Sequence, residues 1–113
     1  DRILWSDENA VLIRDAYPLS PGHMLAIPKR HIASLFEASS AEQQSLLVTL
    51  GIAKGLVDQE AGPDGFNIGI NDGEAAGQTV PHLHVHLIPR FQGDVDDPRG
   101  GVRWIKPEAA RYW

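Results

Sequence analysis

Three of the chain's five histidines fall within five residues, as His82-Leu83-His84-Val85-His86. In an extended strand side chains alternate between faces, so the three imidazoles share one side and Leu83, Val85 and Leu87 share the other. The apolar set must face a core, which leaves the imidazoles on the accessible face. The rise per residue then spaces alternate rings about 6.5–7 Å apart. Such a row can supply a nucleophile, a hydrogen-bond donor and an acid near neutral pH, where imidazole titrates. Two other readings stay open on these residues alone. A solvated strand face can carry histidines without any chemistry. His82 and His84, at i and i+2, can also ligate zinc or iron if other segments add ligands.

Further polar residues sit on the segments around this row. His23 opens the run His23-Met24-Leu25-Ala26-Ile27, where a hydrogen-bonded structural histidine is equally at home. Asp15 and Asn71 lie in turn-rich stretches and can simply accept turn amides. Gln78 and Thr79 precede the histidines and read, by themselves, as ordinary loop residues. Lys29-Arg30-His31 reads as a solvated basic turn with no catalytic role.

The elements that position these groups follow from periodicity. Ala10–Arg14 and His23–Ile27 read as strands joined by a Pro- and Gly-rich link, the second stopped by Pro28, which suggests an antiparallel hairpin. Ser39 followed by Glu42 matches a capping box. Leu46, Leu47, Leu50, Ala53 and Val57 then recur at three- and four-residue steps, predicting one long helix over about Ala41–Ala61 that ends at Gly62-Pro63. Phe66–Ile70 and His84–Ile88 read as two more strands, the latter ended by Pro89, with a turn-forming loop over Asn71–Gly77. The segment from Gly93 to Trp113 reads as loop and coil pinned by Trp104 and Trp113. The expected fold class is α+β, a mostly antiparallel sheet with one main helix, in a single domain over 1–113.

Bulk composition narrows the partners. The 113 residues are 42% hydrophobic and 22% charged, the balance of an ordinary globular chain. Ten Lys and Arg lie scattered among fifteen acids for a net charge of −5. Long nucleic acid is therefore an unexpected partner, since phosphate neutralisation supplies much of that affinity. A small phosphorylated ligand is not excluded, because a local site can be positive on an acidic protein. Without cysteine there is no disulfide and no Cys-based zinc site in these residues. The apolar runs are too short to span a membrane, and no charged-then-apolar leader opens the chain. The expected compartment is the cytoplasm.

The segment Gly77-Gln78-Thr79-Val80-Pro81-His82-Leu83-His84-Val85-His86-Leu87-Ile88 resembles the motif of the histidine-triad (HIT) family, His-φ-His-φ-His-φ-φ with φ apolar. Pro21-Gly22-His23-Met24-Leu25-Ala26-Ile27-Pro28-Lys29-Arg30-His31 resembles a second landmark of that family, and the likeness runs from about Leu12 to Arg90. The resemblance implies nucleotide hydrolysis with His84 as nucleophile. It implies His86 beside the phosphate handling protons, His82 supporting their geometry, and His23 joining the same hydrogen-bond network. It also places Gln78 and Thr79 at phosphate-contacting positions, Asp15 at the ribose and Asn71 near the phosphates. Attack on the α-phosphorus would form a nucleotidyl-histidine that water then releases.

Family branches narrow the reading further. Uridylyl transferases of this type carry Gln where His86 stands, so hydrolysis is favoured. The DNA-repair branch adds a Cys-rich zinc module, and cap-scavenging relatives are much longer. What remains is dinucleoside polyphosphate hydrolases and nucleoside phosphoramidases. The Ala76–Val80 lead-in and the Pro89-Arg90 exit lean toward the polyphosphate branch. The tail Asp97–Trp104 resembles bacterial members, with Arg99 and Arg103 placed to meet a distal phosphate. The resemblance implies no required cofactor, although magnesium can neutralise a polyphosphate substrate. It also implies a two-fold homodimer, consistent with sheet edges that a partner would cover. A metal-dependent hydrolase using the His-x-His pair and a catalytically weak nucleotide-binding protein are the alternatives.

Overall fold

The computed structural model describes residues 2–113, so Asp1, the first residue of the expected single domain, lies outside them. Five strands form one sheet, in the order β1-β2-β3-β5-β4: β1 (Ile3–Ser6), β2 (Ala10–Arg14), β3 (Met24–Pro28), β4 (Gly65–Gly69) and β5 (Val85–Arg90). Every neighbouring pair is antiparallel, and the long helix α1 (Ser40–Glu60) packs on one face. The α+β expectation therefore holds, and β2 matches its expected bounds residue for residue. β1 went unread in the sequence. It is a four-residue edge strand in which only Trp5 is half-buried, so it shows almost no alternation of burial.

The core lies between α1 and the sheet. Leu12, Met24 and Leu87 project from three adjacent strands onto Ala53 and Val57, and Ala10, Ala26, Leu83 and Val85 meet Leu46. Ser39 caps α1 as the sequence predicts: its side chain accepts from the Glu42 amide while the Glu42 carboxylate accepts from Ser39. The apolar stripe needs one correction. Leu47 is 70% exposed, because it stands about 100° around the helix from buried Leu46. Its place on the sheet-facing side goes to Ser45 and Thr49. Both are satisfied in place, Ser45 donating to Asp7 and Thr49 to the Ser45 carbonyl.

Two strand boundaries differ from expectation in ways that matter for the histidines. β5 begins at Val85 rather than His84, so His82 lies in a bend, His84 just before the strand, and only His86 in the ladder. The β3 pairing runs out at Ala26↔Val85, and the Leu83 amide bonds the Ile32 carbonyl instead. Pro89 does not end β5 as predicted. It lies beyond the β3 pairing, where its missing N–H breaks no ladder bond on that side. Expected β3 and β4 are each displaced by one residue, at Met24–Pro28 and Gly65–Gly69.

The tail is more ordered than coil. A 3₁₀ turn (Gly101–Ile105) and the short α2 (Pro107–Ala110) follow β5, with the turn against β4. The tryptophans pin it: Trp104 donates to the Arg99 carbonyl at 2.7 Å, and the Arg99 guanidinium lies 4.6 Å from the Trp113 ring centre. Among the described residues no helix is long and apolar enough to cross a membrane.

Gly22 joins the turn before β3 to the last turns of α1. Its φ is 88°, and a Cβ there would run into the Val57 side chain. Gly22→Ala should therefore lose about 3 kcal/mol, combining left-handed backbone strain with overpacking. Thermal or urea denaturation checks this, and an unchanged midpoint would show that the contact relaxes freely.

Candidate active site

The four site histidines of the sequence, His23, His82, His84 and His86, converge beside the open face of the sheet, joined by His31. His86 projects from β5 opposite Leu25 of β3 and Gly69 of β4, on the side away from α1. His23 stands just before β3 and is 3% exposed. The turn that Asp15 begins folds back on it, with the Asp15 amide bonding the His23 carbonyl.

Hydrogen bonds assign the tautomers. The Leu19 backbone N–H donates to His23 Nδ1 at 3.1 Å, so neutral His23 carries its proton on Nε2. That Nε2–H points at His86 Nδ1, 2.9 Å away, with Asp15 Oδ2 at 3.4 Å as a secondary acceptor. His86 Nδ1 is thereby an acceptor, and its proton sits on Nε2. On the neighbouring ring, His84 Nδ1 donates to the His82 carbonyl at 3.0 Å, so the His84 Nε2 lone pair is the free one. The His84 and His86 ring centres are 5.1 Å apart. A proton-free nitrogen and a proton-bearing one thus stand on adjacent imidazoles.

His82 is locked from both ends. Its Nε2–H donates to the Pro28 carbonyl at 2.8 Å, and its Nδ1 lies 3.2 Å from His31 Nδ1. His31 was read from sequence as part of a solvated turn. It is exposed, but the turn it occupies is held by Arg30, which forks onto Glu42 and also bonds the Glu37 carbonyl. A basic triplet ahead of a capping-box glutamate was the available signal.

The supporting loop residues are distributed unevenly. Gln78 has both ends of its amide engaged: the oxygen accepts from the Gly73 amide, and the nitrogen donates to the Ala33 and Val80 carbonyls. Asp72, which the sequence did not single out, ties the same loop to Ser34 and Leu35. Thr79 is exposed, and Asn71 lines a cleft shared with His86.

Electrostatics favour neutral rings at the centre. Burial pushes the His86 pKa down, helped by repulsion from His84 and His23, while Asp15 works weakly the other way. Burial likewise lowers His23 against the pull of Asp15. Among the described residues, Asp15, His23 and His86 are the group close enough together to hold a metal ion. The Leu19 N–H argues against that use, since it occupies the His23 Nδ1 lone pair and keeps the proton on Nε2. The His82–His84 pair does not converge as a chelate either, with both nitrogens of His82 turned to protein partners.

These shifts carry a stability signature. A histidine whose folded pKa lies below the ordinary 6.5 takes up protons more readily when unfolded, so its contribution is lost as pH falls through that window. Glu42 and Asp94, held near 2 by Arg30 and Arg90, lose theirs only further down, below about pH 4.5. The Tm should therefore drop on going from about pH 7 to pH 5, and His23→Gln should flatten that slope. A level wild-type Tm over this range would contradict the assignment of neutral, buried rings.

Comparison with known proteins bears on the fold and the family. The HIT domain profile matches residues 1–93. An uncharacterised HIT-like protein of Synechococcus elongatus is 42% identical over 86 residues, 76% of this chain and 75% of that one. An asymmetrical bis(5'-nucleosyl)-tetraphosphatase of Schizosaccharomyces pombe is 39% identical over 80 residues, 71% of this chain but 44% of that one. The crystal structure of a HIT family protein from Bacillus anthracis has a TM-score of 0.74 at 35% identity, covering 79% of this chain and 63% of that one. The chain thus spans less than half of the S. pombe relative and under two thirds of the B. anthracis chain. With its three alternating histidines, its sheet and these likenesses, the chain belongs to the histidine-triad (HIT) domain family.

Proposed function

We propose that the chain is a nucleotide hydrolase, cleaving at the α-phosphorus of dinucleoside polyphosphates or nucleoside phosphoramidates through a nucleotidyl group on His84. One observation carries this reading: the hydrogen bond from His84 Nδ1 to the His82 carbonyl leaves the Nε2 lone pair free. That lone pair forms the phosphorus–nitrogen bond while the bond to the leaving group breaks. The leaving group departs with its electron pair, its developing charge held by a hydrogen bond from His86 Nε2–H, and a polyphosphate leaves as the anion without needing a proton. Water then attacks the same phosphorus, loses a proton to solvent, and the phosphorus–nitrogen bond breaks to free both nucleotide and His84. A neutral His86 suits this donor role, which does not require it to give up its one proton.

The other assignments follow from where each group stands. Asp15, with Oδ1 holding the Tyr17 amide, lies beside His23 and reaches toward a ribose hydroxyl. Half-buried Val11, Ile13, Leu25 and Ile27 continue the histidine face across β2 and β3 and form an apolar floor for the base. Gln78 acts by shaping the loop, so the direct phosphate donors are Thr79 and backbone amides, with Asn71 nearby. Imidazole is the nucleophile, so no metal-activated water is needed, and magnesium serves at most to neutralise a polyphosphate. A homodimer formed over the β4 edge, where Ile68 is 52% exposed, completes the proposal.

Three measurements test it. His84→Ala should cost at least ~10³-fold in turnover with nucleotide binding retained, against ~10²–10⁴-fold for His86→Ala. Protein quenched during turnover should carry an acid-labile nucleotidyl group on His84, and a chiral phosphorothioate should react with retention. Inversion would mean direct attack by water and would end the nucleophile assignment. Activity that strong chelation abolishes and zinc restores would replace it with metal chemistry. In light scattering the expected mass is twice the 12.4 kDa of the chain, and a monomer at micromolar concentration would remove the dimer from the proposal.

A further inference from the structure

The buried His23–His86 pair has places for two protons and no more. His23 Nδ1 is closed, because the Leu19 backbone N–H aims its own hydrogen at that nitrogen from 3.1 Å. His23 Nε2 and His86 Nδ1 stand 2.9 Å apart, which leaves room for one hydrogen between them. His86 Nε2 holds the second. A third proton would set two N–H groups head to head.

Among the described residues Asp15 is the group that could relieve such a clash, and it is held short of doing so. Its Oδ2 lies 3.4 Å from His23 Nε2 and 3.8 Å from His86 Nδ1, both beyond the ~2.7–3.2 Å of an N–H···O bond. The Tyr17 amide anchors its other oxygen at 2.8 Å. Charge on the pair is disfavoured as well. Burial holds both rings below the ordinary imidazole pKa, and His84 adds repulsion at His86, against which only the Asp15 carboxylate pulls. The neighbouring rings lend nothing, since His84 Nδ1–H goes to the His82 carbonyl and His82 Nε2–H to the Pro28 carbonyl.

We propose that the site serves leaving groups that depart as anions, acidic oxygen-linked groups such as polyphosphates, and discriminates against basic amines. The inference narrows the hydrolase reading and rests on it for the chemistry, whereas the proton count stands apart from it. In every case the His84 Nε2 lone pair forms the new phosphorus–nitrogen bond. With an anhydride the phosphorus–oxygen bond breaks, the oxygen keeps the electron pair, and the hydrogen bond from His86 Nε2–H meets the developing charge. With an alkylamine the departing nitrogen keeps the pair and must also receive a proton. Taking it from His86 Nε2 would leave an imidazolate. Passing the shared hydrogen across from His23 would only move that anion to a ring beside the Asp15 carboxylate. His86 thus gives a hydrogen bond and not a proton, and cleavage follows the stability of the departing anion.

The test is single-turnover cleavage of the 4-nitrophenyl, 4-chlorophenyl and phenyl esters of AMP, which differ in the acidity of the leaving phenol. Diadenosine tetraphosphate and an alkylamine phosphoramidate of AMP are run beside them. Rates at about pH 7.5 should fall at least ~10²-fold from the 4-nitrophenyl to the phenyl ester, the factor a positioned acid would otherwise supply. The phosphoramidate should trail the tetraphosphate by a similar factor. A level ester series, or a phosphoramidate cut as fast as the tetraphosphate, would overturn the proposal. His23→Ala removes the hydrogen that blocks His86 Nδ1, so at about pH 6 the ratio of phenyl to 4-nitrophenyl rates should rise about tenfold as His86 becomes an acid. An unchanged ratio in the folded variant counts against the proposal. Nitrogen-15 spectra of the wild-type histidines need neither turnover nor the variant. His23 and His86 should each keep a single proton down to about pH 5.5, one unit below the ordinary imidazole value of ~6.5. A second proton on either ring at neutral pH overturns the proposal. The two readings separate: single protons with no probe cleaved refute the hydrolase, and the leaving-group rule falls with it while the proton count stands. Cleavage indifferent to the leaving group refutes the rule and keeps the hydrolase.

Discussion

β5 can present a row of histidines on one face only because its other face is sealed. Leu83, Val85 and Leu87 are each at most 4% exposed, packed against α1 and the neighbouring strands. Each buried aliphatic side chain stabilises the fold by roughly 1.5–3 kcal/mol. A slip of one residue would expose all three and bury three imidazoles, so register is enforced far more strongly than any histidine contact could enforce it. The lead-in is held to the same register by the Leu83 amide on the Ile32 carbonyl. Because His82 and His84 precede the paired part of the strand, the His82 carbonyl is available to a side chain. The tautomer of His84 is therefore a consequence of where the ladder stops.

The second determinant is a backbone amide in a turn. Leu19 N–H satisfies the inner nitrogen of a histidine that is almost fully buried, and a polar atom left unsatisfied there would cost about 1–3 kcal/mol. Its consequence propagates outward: the His23 proton is directed to His86, and the His86 proton is directed away from the core. Asp15 reinforces the pair without forcing either ring to ionise, because burial outweighs its attraction on both. The Pro- and Gly-rich link between β2 and β3, featureless as secondary structure, is what makes this possible. It returns the chain so that Asp15 and Leu19 flank His23.

Loops on the far side of the row are tied to the body by side chains rather than by ladders. Asp72 and Gln78 fasten the loop before the triad to residues 33–35, and Arg30 fastens the turn carrying His31 to the α1 cap. The tail repeats the device with Arg90, Arg99 and Arg103. Charged groups that look available in the sequence are thus consumed in holding loops still, and the cations left facing a ligand are few.

How much of this was legible beforehand depends on the range of the interaction. Alternation around His82–His86, the Ser39–Glu42 cap and the three-four spacing of α1 are local patterns, so the α+β class and the membership of the histidine row could be read directly. Leu47 misled because a hydrophobic residue beside the stripe looks like part of it until the sheet shows which face is covered. The bounds of β5 depend on a neighbouring strand's end, and the meeting of His31 with His82 and the structural role of Gln78 join segments 45 or more residues apart. By itself the sequence determined which residues alternate and which face they share, because that is a property of the extended backbone. Only the tertiary structure decided which nitrogen of each ring bears the proton, because that depends on partners the fold brings from elsewhere in the chain.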